Sequence, residues 1–106
     1  MKQAGAQAEQ LRRMQEMQKR MEEIQGEIEA KEVETTAGGG AVKVKVNGRK
    51  EIAAIEISRD ALDPEDVEML QDLIMVAVNE GLRQIDEITQ AEMGKVTGGL
   101  SIPGLD

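Results

Sequence analysis

Met14, Met17, Met21, Ile24 and Ile28 recur at intervals of three, four, three and four residues, a spacing that lays apolar side chains along one side of an α-helix. A helix is expected from about Gln3 to Lys31, with Ala4, Ala8 and Leu11 continuing the stripe before its phase shifts at Met14. At 1.5 Å per residue it would be roughly 40 Å long, whereas a compact chain of this size has a radius of gyration of about 13 Å. The helix must therefore project from the body. An apolar seam on a projecting helix needs something to pack against, so an assembly is expected rather than a self-sufficient monomer.

The rest of the chain supports a thin core. Its 106 residues contain no Phe, Tyr or Trp, so burial rests on Ile, Leu, Val, Ala and seven Met, and small domains already leave much of their surface wet. One domain is expected over residues 1–94, followed by a Gly-rich segment, 95–106, that lacks periodicity and is expected to be mobile. Cys is absent, which removes disulfides and thiolate metal sites. The N-terminal stretch is polar and charged, without the apolar h-region of a signal peptide, and no run approaches the ~18 apolar residues of a membrane span. A cytoplasmic location with no membrane contact is the expectation.

A net charge of −8 argues against a nucleic-acid binder until its distribution is considered. Residues 1–50 hold ten Lys or Arg against eight Asp or Glu, whereas residues 51–106 hold three against thirteen. Within residues 1–20, Lys2, Arg12, Arg13, Lys19 and Arg20 face only Glu9 and Glu16. The basic end of the molecule is the tip of the first helix.

Strand patterns follow that helix. Glu32–Thr36 and the strictly alternating Val42–Val46 flank Gly38-Gly39-Gly40, and Asn47-Gly48 is a hairpin signal because both residues tolerate positive φ. The return strand spans about Lys50 to Ser58. Pairing puts Ile55 and Ile57 on the face of Val42, Val44 and Val46, and leaves Lys43 and Lys45 with Ile52 on the other. Asp63-Pro64-Glu65-Asp66 reads as a helix start with Asp63 at the N-cap and Pro64 at the first helical position. That helix is expected to end near Met93, stopped by Gly94. Between Met69 and Val78 it is apolar nearly all round, so the sheet and a second subunit are expected to share it. The expected dimer interface is Leu70, Leu73, Ile74, Ala77, Val78 and Gly81, where Gly81 allows another backbone to come close.

Several stretches resemble one family in order along the chain. They are the Met- and Gln-rich first helix, Thr36-Ala37-Gly38-Gly39-Gly40, Val46-Asn47-Gly48, the run from Asp63 to Leu73, and the ending Thr97-Gly98-Gly99-Leu100-Ser101-Ile102-Pro103-Gly104. Together they are similar to the YbaB/EbfC family of small bacterial nucleoid-associated proteins. The resemblance implies an α+β fold in the order helix, three-stranded antiparallel sheet, helix (αβββα). It also implies long protruding helices around a homodimeric core, location at the nucleoid, and binding of duplex DNA without enzymatic turnover.

On the first helix, Arg12 with Lys19 and Arg13 with Arg20 form two basic rows, each with members seven residues apart. Such rows suit phosphates. Glu9 and Glu16 lie between them at pairing distance in sequence, so a salt-laced solvated face fits the same residues, and the family resemblance puts DNA contact first, with Lys2 extending the set. Lys43, Lys45, Arg49 and Lys50 on the hairpin are secondary candidates, since Lys on a strand also guards against edge pairing. Without aromatic side chains, base stacking is unavailable and binding should address duplex backbone, in a salt-sensitive way. Asp63, Glu65, Asp66 and Glu68 match no calcium loop, and neither Gly38-Gly39-Gly40 nor Gly94-Lys95 is a phosphate-binding loop. No cofactor, metal or catalytic residue is expected: His, Cys and Tyr are absent, and Ser58 and Ser101 have no nucleophile context. The alternative function is a scaffold dimer whose Met-rich arm receives a partner helix while the acidic body repels DNA.

Overall fold

The computed structural model describes residues 2–97, with side chains from 5 to 95. The order is α1 (Lys2–Glu29), β1 (Glu32–Ala37), β2 (Val42–Asn47), β3 (Ile52–Ile57), a 3-10 turn at Arg59–Ala61, and α2 (Val67–Thr97). The strands form one antiparallel sheet in the order β1-β2-β3. The expected αβββα architecture is therefore the one observed.

Alternation along β2 decides how the sheet is used. Val42, Val44 and Val46 are fully buried on the inner face, where they form the core with Ala37, Ala77 and Ile85. Helix α2 lies across β1 and β2 on that face. Two contacts set its height. The Thr35 hydroxyl donates to the Ala77 carbonyl at 2.6 Å, and a Cβ on Gly81 would come within 2.5 Å of Val46 Cγ2. Gly81 thus lets the helix settle onto its own sheet.

Helix α2 does not reach over β3, and Ile52 and Ile55 each remain 45% exposed. Ile52 departs from expectation: an irregularity between Lys45 and Val46 pairs Val46 with Ile52 after Lys45 pairs with Ala54. The extra residue, Ala53, reverses the alternation, so Ile52 joins the valine face instead of the lysine face.

The turns also differ in detail. Between β2 and β3 the left-handed residue is Lys50 (φ 62°), not Asn47 or Gly48. Asn47 caps the turn by accepting from the N–H groups of Arg49 and Glu51. Gly48 serves a different need, since its N–H donates to Lys31 O and a Cβ there would overlap Ile28 O. Gly38, Gly39 and Gly40 do adopt positive φ, as a four-residue turn between β1 and β2 requires. At the start of α2, Asp63 closes a separate turn, accepting from Glu65 N at its side chain and from Asp66 N at its carbonyl. The N-cap is Asp66, whose carboxylate accepts from Met69 N at 3.3 Å. Gly94 does not stop α2, which continues to Thr97 because an exposed Gly with open space around it costs a helix only about 1 kcal/mol. The expected mobile segment therefore begins inside the helix, and its remainder, 98–106, lies outside the described residues.

Candidate nucleic-acid interface

The seam on α1 is used at one end only. Ile24 and Ile28 are buried (8% and 2% exposed), whereas every described residue from 5 to 23 is exposed, including Leu11, Met14, Met17 and Met21. Contacts between α1 and α2 account for the buried end. The free part is an arm roughly 28 Å long. With the 31-residue α2 it gives the molecule principal extents of 79 × 28 × 16 Å and a radius of gyration of 21.4 Å, far above the about 13 Å of a compact chain.

Arg12, Arg13, Lys19 and Arg20 all lie on this arm and are exposed. Glu9 and Glu16 are exposed as well, yet neither is within ion-pair distance of them, and no described residue forms an ion pair with any of the four cations. The intrahelical pairs that a salt-laced face needs are not formed. Four cationic heads therefore stand in solvent on a helix that leads away from the acidic body. The Lys2 backbone is the first residue of α1, and its side chain lies outside the described residues.

The hairpin cations are placed differently. Arg49 is 3.7 Å from Glu29, and Lys50 is 2.8 Å from Asp86. These pairs tie the β2–β3 turn to α1 and α2. Lys43 pairs across the sheet with Glu56, and Lys45 with Glu34. Lys43 and Lys45 thus each stand opposite a carboxylate in the strand register, although neither forms an ion pair with a described residue.

The apolar residues expected at a dimer interface divide into two groups. Ala77 is fully buried and Gly81 is buried, both against the sheet of their own subunit. Leu70, Leu73, Ile74 and Val78 are half-buried along the same core. The apolar groups left open include Met69, Met75 and Val76 (the last two 58% exposed each), which lie in the all-round apolar stretch expected to be shared with a second subunit though not among the named interface residues, and Ile52 and Ile55 on β3. Leu62 and Val67 extend this open surface around a shallow hollow at the N-terminus of α2. The all-round apolarity of α2 was the available signal, but which side the sheet occupies depends on where the helix lands.

Among the described residues, no group of His, Cys, Asp or Glu is arranged to hold a metal ion, and no helix is long and apolar enough to cross a membrane. Buried polar groups are few. Glu92 is 8% exposed, with one carboxylate oxygen receiving Lys95 and the other without a hydrogen-bond donor, as is the Thr89 hydroxyl.

A profile of the YbaB/EbfC DNA-binding family matches residues 2–100. A nucleoid-associated protein of Alkaliphilus metalliredigens is 60% identical over 95 residues, covering 90% of this chain and 83% of that protein. One from Pelotomaculum thermopropionicum is 54% identical over 101 residues, covering 95% and 96%. Among solved structures, the uncharacterized protein HP0035 from Helicobacter pylori superposes with a TM-score of 0.66 at 27% identity, over 74% of this chain and 82% of that one.

Proposed function

The chain belongs to the YbaB/EbfC DNA-binding family, whose members here are nucleoid-associated proteins, and from that premise we propose that it works as a cytoplasmic homodimer gripping duplex DNA by its phosphate backbone through the basic rows of its α1 arms. The observation that carries this reading is the set of four exposed arm cations without ion-pair partners among the described residues. Guanidinium and ammonium groups free of internal carboxylates can exchange condensed counterions for phosphates, which is the main source of sequence-independent DNA affinity. Lys2 extends the row toward the tip. Lys43, Lys45, Arg49 and Lys50 rank second: Arg49 and Lys50 are already ion-paired with Glu29 and Asp86, and Lys43 and Lys45 lie on the sheet opposite Glu56 and Glu34 instead of on the projecting arm.

Dimerisation is supported by the apolar surface that one subunit leaves uncovered. Ile52 and Ile55 on β3 and Met69, Met75 and Val76 on α2 are large apolar side chains each about half exposed, and exposed apolar surface of this kind marks an association site where it is contiguous. A second copy would cover them, with Leu70, Leu73, Ile74 and Val78 completing the contact from beneath. Ala77 and Gly81 hold the helix on its own sheet and sit behind that interface. No catalytic step is part of this function, since the chain acts by binding.

A gel shift with duplex DNA across several salt concentrations tests the reading. Counterion release predicts a log–log slope of about −0.9 per phosphate contact, so affinity should fall steeply with salt. Binding that is absent, or indifferent to salt, would favour the scaffold role instead.

A further inference from the structure

Met17 stands four residues after Arg13 and three before Arg20, the two spacings at which helix side chains become neighbours. It is 44% exposed, and neither flanking guanidinium is held in an ion pair by a described residue. Met14 and Met21 share its seam and are 61% and 46% exposed, but neither has an Arg or Lys three or four residues away. The whole sequence contains no Cys, His, Trp or Tyr. Its thioethers are therefore the side chains most readily oxidised, and the arm presents three of them to solvent.

We propose that Met17 is a reversible oxidation site whose sulfoxide captures Arg13 and Arg20 and so weakens the arm's hold on DNA. The oxidant is hydrogen peroxide. The sulfur lone pair attacks one peroxide oxygen, the O–O bond breaks, an S–O bond forms, and the departing oxygen takes the remaining proton and leaves as water. Sulfur loses two electrons and the peroxide gains them. A dithiol reductant acting through a methionine sulfoxide reductase reverses the step, releasing the oxygen as water and becoming a disulfide. The thioether is a weak acceptor, whereas the sulfoxide oxygen carries substantial negative charge and accepts strongly. Formed between two unpaired guanidinium groups, it satisfies donors that would otherwise reach phosphate. The effect on DNA rests on the function proposed above; the chemistry at sulfur does not.

The test treats the full-length protein with hydrogen peroxide, locates the added oxygen by peptide mass mapping, and follows binding to a fluorescently labelled duplex by anisotropy at several salt concentrations. Oxygen is expected on Met17, with a several-fold loss of affinity, a flatter salt slope and an unchanged far-ultraviolet circular dichroism spectrum. Reductase with dithiothreitol should restore binding. Met17→Leu keeps the apolar seam and should bind normally before and after peroxide, whereas the double variant Met14→Leu, Met21→Leu should remain sensitive. The proposal is overturned if Met17 stays unmodified while other methionines react, or if Met17→Leu loses as much affinity as the parent. If the untreated protein binds no duplex, the DNA reading falls and the switch with it, while the mass map still decides the oxidation site.

Discussion

Gly48 lies so close to the last turn of α1 that a Cβ built on it would overlap the carbonyl oxygen of Ile28 and stand 3.0 Å from Glu29 Cα. Both obstacles are backbone, so no side chain can yield. The contact is reinforced by the Gly48 N–H, which donates to Lys31 O at 2.9 Å. The β2–β3 turn is thereby the seat on which the arm's root is fixed.

Gly48→Ala should consequently destabilise the fold by about 3 kcal/mol, at the upper end of overpacking costs. Gly26→Ala provides the contrast: nothing lies within 4 Å of a Cβ there, and removing a helix-interior Gly should add about 1 kcal/mol of stability. Thermal melts of the two variants, at equal protein concentration, should move in opposite directions.

The dimer surface makes a second prediction. Val76→Asp should leave the subunit folded, since Val76 is 58% exposed within it, but should bury an unpaired charge between copies. That costs about 3 kcal/mol, or about a hundredfold in dissociation constant. Ile74→Asp is less diagnostic, because Ile74 also packs against the subunit's own core. Sedimentation equilibrium should find a wild-type dimer at micromolar concentration and a Val76→Asp monomer; a wild-type monomer under those conditions would remove the dimer from the account.

Acid should act visibly on one exposed cluster of α2. The Glu80 carboxylate accepts from Arg83 and from Gln84 Nε2, and these bonds hold its pKa below the ordinary 4.5. A carboxylate with a depressed folded pKa contributes stability that is present above its unfolded value and lost as pH falls through the folded one. The cluster is solvent-exposed, so its effect on global stability is small. Carboxyl-detected NMR titration should place the Glu80 midpoint below 4.5 and return it toward that value in Arg83→Gln; coincident midpoints would refute the pairing.

Much of this architecture was legible because period and punctuation agree. The heptad of α1, the alternation of Val42 to Val46 and the glycines at 38–40 each point to one local structure, and each forms it. What eluded sequence reasoning depends on contacts distant along the chain. Asn47-Gly48 looked like a turn chosen for backbone freedom, yet Gly48 is required by α1. Ile52 changed face through one extra residue, which no periodicity announces. Ala77 and Gly81 belong to the apolar stripe of α2, but only the docked sheet shows that they are spent inside the subunit. The arm cations were visible from charge distribution alone, whereas their lack of carboxylate partners required coordinates.

Whether the arm rows grip phosphate is decided by the salt dependence of duplex binding by a variant in which Arg12, Arg13, Lys19 and Arg20 are all replaced by Gln. Gln keeps helix propensity close to that of the residues removed, and all four sites are exposed, so the fold and dimer should persist. A large loss of affinity and a flatter log–log salt slope are expected, with a smaller effect when Lys43, Lys45, Arg49 and Lys50 are replaced in the same way. An arm variant that binds duplex DNA as tightly as the parent, with the same slope, would contradict phosphate binding by the arm rows.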